Sequence, residues 1–223
     1  IVFVTSSKEY VWQSFPVHPF DYLLKPYKEE KIRQLTACGL SGVILREKDL
    51  EEVRYRALAA QVMETCGQSG VLCILHSFHR VAAELGAPVH LPMPVLREMS
   101  EKERSAFEIM GASCHSVDEA REAQALGCTY ITAGHVFATD CKKGLAPRGT
   151  GFLREVCEAV NIPVYGIGGI GAGNIVEVQR AGAKGACVMS GAMTCADPER
   201  YVAELRSAAM ETPGGKYKNE IQT

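Results

Sequence analysis

The chain has 223 residues, of which 47% are hydrophobic and 22% charged, as is usual for a folded domain of this size. The formal net charge of −2 gives no reason to expect nucleic acid or an anionic membrane as the main partner. No apolar run approaches the roughly 20 residues that span a bilayer. The nine cysteines are scattered without metal-type spacing, which indicates reduced thiols in a cytoplasmic protein.

The first forty residues contain two candidate strands where a repeating fold needs one. IVFVT and DYLLK both have strand-like apolar runs. Taken alone, residues 1–33 resemble the C-terminal part of a response-regulator receiver domain, in which Thr5 and the pair Lys25 and Pro26 match the switch threonine and the lysine–proline. We take DYLLK as the strand that enters the main fold and residues 1–21 as an appended N-terminal segment.

From Leu40 onward, short apolar runs alternate with amphipathic stretches. Seven of these runs are apolar on both faces, as in parallel strands that are covered by helices. The helix-like stretch after Ser116 begins with a capping box, because Glu119 follows three residues later. The repeated order favours an α/β fold with a parallel sheet, and an open doubly wound sheet is the alternative. We predict a (βα)8 TIM barrel over residues 22–210 and a flexible C-terminal tail over 211–223. The seven candidate strands cover residues 41–47, 70–77, 88–92, 107–115, 129–135, 163–169 and 185–191.

Glycine-rich and small residues follow the last two predicted strands, where a barrel usually holds phosphate. The segment YGIGGIGAGNIVEV (165–178) places five glycines between a strand and a helix, which lets the backbone approach a phosphate closely. A dinucleotide site would need an acidic residue at the end of the next strand, and ACVMSG has none. Tight turns without a ligand are the alternative. The predicted monophosphate site consists of Gly168, Gly169, Met189, Ser190 and Gly191.

Cationic and hydroxyl side chains form a second group of candidates. Arg46 and Lys48 follow a strand two residues apart, so they share one side of the extended chain. The segment GHVFATDCKKGLAPRG follows another strand and contributes Thr139, Lys142 and Lys143. These donors suit an anionic group across a barrel mouth. A solvated strand end and a mobile surface loop are the alternatives.

Six histidines provide the candidates for proton transfer. His115 is the best placed, because an imidazole titrates near neutrality and this one closes a predicted strand. His76, also at a strand end, is the second candidate. His79 and His90 are interpreted as structural or superficial. A histidine hydrogen-bonded to neighbouring backbone is the alternative for His115.

Several motifs together resemble the thiamine phosphate synthase superfamily, over about residues 35–210 and in the same order. They are LREKDL, GASCHSVDEA, GHVFATDCKKG, PVYGIGGI and VMSG. The pattern is most similar to the thiazole tautomerase (TenI) branch. The resemblance implies a (βα)8 barrel of thiamine biosynthesis that takes a small-molecule phosphorylated thiazole as its substrate.

The two branches of this superfamily differ in chemistry. The resemblance implies that the synthase joins hydroxymethylpyrimidine diphosphate to thiazole phosphate, with Mg²⁺ held by two aspartates. The matching positions are His76 and Ser77 and, nearby, Val95, and Ile44 replaces a glutamine. Because Mg²⁺ prefers oxygen anions, these replacements favour the tautomerase, which needs no metal. We therefore expect no cofactor, and Mg²⁺ only under the synthase alternative.

The leading hypothesis is an isomerase that aromatises a carboxythiazole phosphate by proton transfer, with His115 as general acid and base. A Mg²⁺-dependent thiamine phosphate synthase and a non-catalytic thiazole or thiamine phosphate-binding protein are the alternatives. The sequence leaves open whether the chain forms a homo-oligomer. The candidate substrate-binding residues are Arg46, Lys48, His76, Thr139, Lys142 and Lys143.

Overall fold

The computed structural model describes residues 19–22, 29–47, 49–139 and 144–210, with the backbone alone for residues 19–22 and for Met210. Strands and helices alternate along it. The strands are β1 (Pro19–Tyr22), β2 (Gly42–Leu45), β3 (Leu72–His76), β4 (Val89–Pro92), β5 (Met110–Cys114), β6 (Tyr130–Gly134), β7 (Val164–Ile167) and β8 (Gly185–Val188). The helices are α1 (Glu29–Ala37), α2 (Glu52–Gln68), α3 (His79–Glu84), α4 (Met93–Glu98), α5 (Glu101–Arg104), α6 (Val117–Ala125), α7 (Gly149–Ala159), α8 (Ile175–Arg180), α9 (Ser190–Thr194) and α10 (Pro198–Met210).

All strand pairs are parallel, and each strand pairs with the next one along the chain. Strands β2 to β8 form a curled sheet that contains the seven predicted strands. The backbone of β1 pairs with both β2 and β8, in the strand order of a closed barrel. The predicted α/β class and parallel sheet are confirmed. Strand β1 includes Asp21 and Tyr22 of the predicted strand DYLLK, and the remaining three residues of that prediction lie outside the described residues.

Two apolar clusters follow from the alternation of side chains along the strands. The larger one lies between the strands and the surrounding helices and includes Val43 and Leu45. The smaller one contains Ile44 of the same strand, which points to the opposite face. Residues of the smaller cluster fill the inside of the curled sheet, as side chains do in packed barrels. Its buried members are Ile44, Ile74, Tyr130, Tyr165 and Cys187.

Tyr55 of α2 links two neighbouring strands from the outside. It is fully buried, its hydroxyl donates to the carbonyl of Leu45 at 2.8 Å, and the same oxygen accepts from the backbone N–H of His76 at 3.0 Å. Its ring also stacks on Phe78, with centroids 4.0 Å apart. One side chain therefore satisfies a donor of β3 and an acceptor of β2 that water does not reach.

We expect Tyr55→Phe to lower the free energy of unfolding by about 1–3 kcal/mol, because it leaves both backbone groups buried without their partner. Urea unfolding of the variant and the wild type measures this difference. Tyr201→Phe, in which a partly buried hydroxyl is removed from α10, is the matched comparison. Equal destabilisation in both variants would contradict the bridging role of Tyr55.

The cap of α6 differs in part from its prediction. The Ser116 hydroxyl accepts from the backbone N–H of Glu119 at 3.0 Å, as expected. The Glu119 carboxylate, however, accepts from the backbone N–H of His115 at 2.6 Å rather than from that of Ser116. A complete capping box occurs instead at α5, between Ser100 and Glu103. Glu119 thus fixes the backbone of His115.

Other predictions are settled in part. The eight described cysteines are all free, and five of them are buried. No helix of the described residues is both long and apolar enough to cross a membrane. The N-terminal segment before Pro19, the pair Lys25 and Pro26, and the predicted tail over 211–223 lie outside the described residues. The resemblance to a receiver domain stays a prediction.

Candidate active site

One pocket of about 510 Å³ opens at the carboxyl ends of the strands. It collects side chains and loops from β2 to β8, because the ends of parallel strands meet at one edge of the sheet. Every predicted site residue that the structure describes lines this main pocket, although its role stays a prediction. These residues are Arg46, His76, His115, Thr139, Gly168, Gly169, Met189, Ser190 and Gly191. The other three, Lys48, Lys142 and Lys143, lie outside the described residues.

The turn after β7 has a shape that only glycine allows. Gly168 and Gly169 have φ angles of 98° and 66°, in the left-handed region. A Cβ at Gly168 would overlap the Cβ of His135, and one at Gly169 would overlap the carbonyl oxygen of Ala138. The turn after β7 is therefore pressed against the segment that follows β6.

Asn174 fixes the same turn from the other side. Its amide donates to the carbonyl of Gly169 at 2.9 Å, and its amide oxygen accepts from the N–H of Gly171 at 2.9 Å. Sequence reasoning did not single out Asn174. An asparagine directly before a helix, after a run of glycines, is the signal that could have found it.

A buried hydrogen-bond network forms the floor of the main pocket. The two ring nitrogens of His90 bond to the Tyr130 hydroxyl and to the Ser113 hydroxyl, both at 2.9 Å. The Thr132 hydroxyl lies 3.4 Å from both His90 and Ser113. Ser113 and Thr132 line the main pocket, and neither was predicted. His90 is fully buried, so its structural interpretation is confirmed and the superficial one is wrong.

His76 and His90 are neutral at physiological pH. Burial, with Arg46 nearby, lowers the pKa of His76 to about 3. Burial, with a smaller contribution from His76, lowers the pKa of His90 well below its usual 6.5. The Nδ1 of His76 lies 2.6 Å from the Ser77 hydroxyl. His76 therefore provides a neutral imidazole rather than a charge, which does not suit it to proton donation at neutral pH.

His115 is exposed at the mouth of the main pocket. Its Nδ1 lies 2.8 Å from the carbonyl oxygen of Gly134. Because a carbonyl oxygen only accepts, Nδ1 carries the hydrogen and Nε2 is left as an acceptor. The predicted alternative, a histidine hydrogen-bonded to backbone, describes this geometry as well as a catalytic role does.

The described lining of the main pocket carries positive charge and no negative charge. Arg46 is the one arginine or lysine among its described lining residues, which include no aspartate or glutamate. Three histidines, His76, His115 and His135, also line it. A pocket with this lining suits an anionic ligand.

Mg²⁺, which the synthase branch implies, does not fit this donor set. The matching positions are Ser77, whose hydroxyl bonds to His76, and Val95, an apolar residue of α4. No group of three or more His, Cys, Asp or Glu side chains in the described part of the chain could hold a metal ion. Mg²⁺ needs several hard oxygen ligands, so the described residues provide no such site.

Several proteins with similar sequences are named thiamine-phosphate synthase. The chain is 32% identical over 200 residues to that of Pyrococcus abyssi, covering 87% of this chain and 94% of that protein. It is 33% identical over 192 residues to that of Moorella thermoacetica, covering 83% and 90%. The structure of thiamine phosphate pyrophosphorylase from Pyrococcus furiosus superposes with a TM-score of 0.77 at 28% identity, over 89% of this chain and 98% of that one.

These relatives correct the leading hypothesis from the sequence. They are named for synthase activity, which is a transferase reaction. The predicted thiazole tautomerase activity, and with it the isomerase class, is therefore wrong. The missing carboxylates had favoured the tautomerase. A metal site depends on two or three side chains, whereas membership of a family rests on the pattern of the whole chain.

The model of one protein family matches residues 22–192, described as thiamine monophosphate synthase. The match includes strands β2 to β8, the main pocket and the turn after β7. With the identities above, it shows that this chain belongs to the TMP-TENI family of thiamine monophosphate synthases.

Proposed function

We propose that the chain is a thiamine-phosphate synthase built on a complete (βα)8 barrel. It joins hydroxymethylpyrimidine diphosphate to thiazole phosphate, and diphosphate leaves as the two rings are connected. The observation that carries this proposal is the main pocket. In a chain that covers 94% of a thiamine-phosphate synthase, nine separately predicted residues line one cavity at the carboxyl ends of the strands.

The turns after β7 and β8 hold the phosphate of the thiazole in this proposal. Gly168 and Gly169 have no side chain to keep an anion away from their backbone N–H groups. Ser190 and Gly191 lie across the same pocket and add a hydroxyl and further backbone. The fixed shape of the turn after β7 supports this assignment, because a rigid donor set needs no reorganisation when the anion binds.

The floor and one wall of the pocket serve the rest of the substrates. Ser113 and Thr132 present hydroxyls that the buried His90 orients, which suits neutral ring substituents. Arg46 supplies the charge that meets the diphosphate. His76 lies beside Arg46 and stays neutral, so it adds no charge of its own to this wall of the pocket.

A non-catalytic binding protein is the second candidate. The observation that favours it is the lack of carboxylates among the described residues of the main pocket. A diphosphate leaving group develops negative charge, and without a cation or donors it is poorly stabilised. The same phosphate grip would then retain thiamine phosphate without turnover.

Incubation of the purified protein with both substrates separates these candidates. Chromatographic detection of thiamine phosphate, with Mg²⁺ and with a chelator, measures turnover, and calorimetry with thiamine phosphate measures binding. Product formation supports the synthase. Binding without product supports the second candidate. Neither binding nor product under any condition would overturn both proposals.

We expect Arg46→Gln to lower kcat/KM by about 10- to 100-fold, because one charged hydrogen bond contributes about 1.5–3 kcal/mol. Arg54→Gln, on the exposed face of α2, is the matched control and is expected to retain wild-type turnover. Steady-state kinetics of the two variants make the comparison. Equal kcat/KM values in both would show that Arg46 does not contact the diphosphate.

A further inference from the structure

A second pocket of about 290 Å³ lies beside the main one. It is lined by His115, His135, Leu145, Ala146 and Arg148, and we refer to it as the side pocket. His115 and His135 line both pockets, so these two imidazoles form a shared wall. Two ring side chains and a guanidinium thus meet in a cavity near the lower size limit of a small-molecule site.

The two histidines each keep one ring nitrogen for a ligand. His115 donates from Nδ1 to the carbonyl of Gly134 at 2.8 Å, and His135 donates from Nε2 to the carbonyl of Leu145 at 3.4 Å. Among the described residues, the Nε2 of His115 and the Nδ1 of His135 have no further hydrogen bond. Once protonated, these nitrogens become donors. His135 is 91% buried, whereas the other four lining residues are exposed, so the cavity is open to solvent on the side away from His135.

Arg148 contributes a permanent charge to the same cavity. Its guanidinium carbon lies 5.3 Å from the centroid of the Phe152 ring, one turn along α7, and this contact orients the side chain. Its backbone N–H donates to the carbonyl of His135 at 3.0 Å, which joins the two residues. No described carboxylate forms an ion pair with Arg148. Within the described part of the chain, its charge is therefore available to a ligand.

The described residues that line the side pocket carry charge of one sign. These five residues include no carboxylate. The carboxylate next to His115 is Glu119, which accepts from the backbone N–H of His115 and lies 3.9 Å from Arg97. The neighbouring lining residues, Leu145 and Ala146, are apolar, so their side chains do not compete with an anion for the guanidinium of Arg148. A cavity of this kind excludes cations and favours an anion with several oxygens.

We propose that the side pocket binds a phosphate-type anion, and diphosphate more tightly than phosphate. Arg148 holds the anion in two-point contact, and His115 and His135 add one donor each from the wall shared with the main pocket. The choice of diphosphate rests on the proposed function, in which diphosphate is released next door. Binding of the anion itself requires neither turnover nor a divalent cation, since the protein supplies the positive charge.

Calorimetric titration with inorganic diphosphate in a chelator-containing buffer tests the proposal. We expect binding by the wild type, a Kd raised about 10-fold or more in Arg148→Gln, and weaker binding of inorganic phosphate. Arg154→Gln, on the exposed face of the same helix, is the matched control and is expected to bind like the wild type. Thermal melts of both variants confirm that they are folded.

Proton NMR locates the anion. The ring protons of His115 and His135 are expected to shift on addition of diphosphate, whereas those of His79, which lies in α3 and lines neither pocket, are expected to stay in place. Diphosphate binding that is lost in Arg46→Gln but unchanged in Arg148→Gln would place the anion in the main pocket and overturn the proposal. So would equal Kd values in Arg148→Gln and Arg154→Gln.

The two proposals fail in different ways. Turnover of both substrates with diphosphate binding that is insensitive to Arg148→Gln removes the side pocket alone. Diphosphate binding that depends on Arg148, in a protein without turnover, keeps the side pocket and removes the synthase.

Discussion

Replacing Gly168 with alanine is expected to weaken the binding of thiamine phosphate by about 10-fold or more, because a displaced turn loses at least one hydrogen bond to a charged group, which contributes about 1.5–3 kcal/mol. The φ angle of 98° disfavours any side chain, and the new Cβ would overlap the Cβ of His135. The turn after β7 must therefore move away from the segment after β6. Calorimetry with thiamine phosphate measures the change.

Gly173→Ala is the matched control for Gly168→Ala. It lies in the same glycine-rich segment, but a Cβ there would meet no atom within 4 Å, and its φ angle lies outside the left-handed region. We expect wild-type affinity in this variant. If both variants bind alike and melt at the same temperature, the phosphate does not lie on the turn after β7.

Acidification from pH 7 to pH 5 is expected to destabilise the fold by about 2 kcal/mol through His76, and further in the same direction through His90. In the unfolded chain these imidazoles take up a proton below pH 6.5. In the folded protein the pKa of His76 is about 3, and that of His90 is also well below 6.5. The unfolded state therefore binds more protons between these values, and the free energy of unfolding falls as the pH falls.

Urea unfolding at the two pH values, in His90→Gln and in the wild type, isolates this effect. The variant loses the network and is expected to be less stable at pH 7, but its further loss on going to pH 5 should be smaller than that of the wild type. His79→Gln, at the surface near Glu103, is the control and should keep the full loss. An unchanged loss in His90→Gln would show that His90 is protonated in the folded protein.

The strands of the main sheet were within reach of sequence reasoning because both of their faces are buried. Runs such as GVLCILHS are apolar up to their last two residues, and this pattern predicts a strand independently of the neighbouring loops. Short helices leave no such signal. Helices α3, α4, α5 and α9 have four to six residues, fewer than two turns, so no repeat of apolar positions can develop. Helix α10 is longer, and its buried residues Val202 and Leu205 have the spacing of one face of an amphipathic helix.

Candidate site residues could be predicted where their position at the end of a strand is enough to place them at the pocket. Arg46, His76 and His115 follow strand ends, and parallel strands bring their ends together. Ser113 and Thr132 escaped notice because they lie within strands. Their role depends on which face of the curled sheet carries their side chains, and this becomes clear only once the strands have been placed side by side. His135 likewise acquires its neighbours from Arg148, thirteen residues further along the chain.

The contacts that hold the turn after β7 determine how much conformational entropy a ligand would cost on binding there. Asn174 ties this turn from one side and the segment from His135 to Ala138 supports it from the other. Because these contacts already hold the backbone of the turn, a ligand that bound there would cost little further conformational entropy. Transplanting this turn into another scaffold would accordingly require both of its supports, since the glycines alone would only make the recipient loop more flexible.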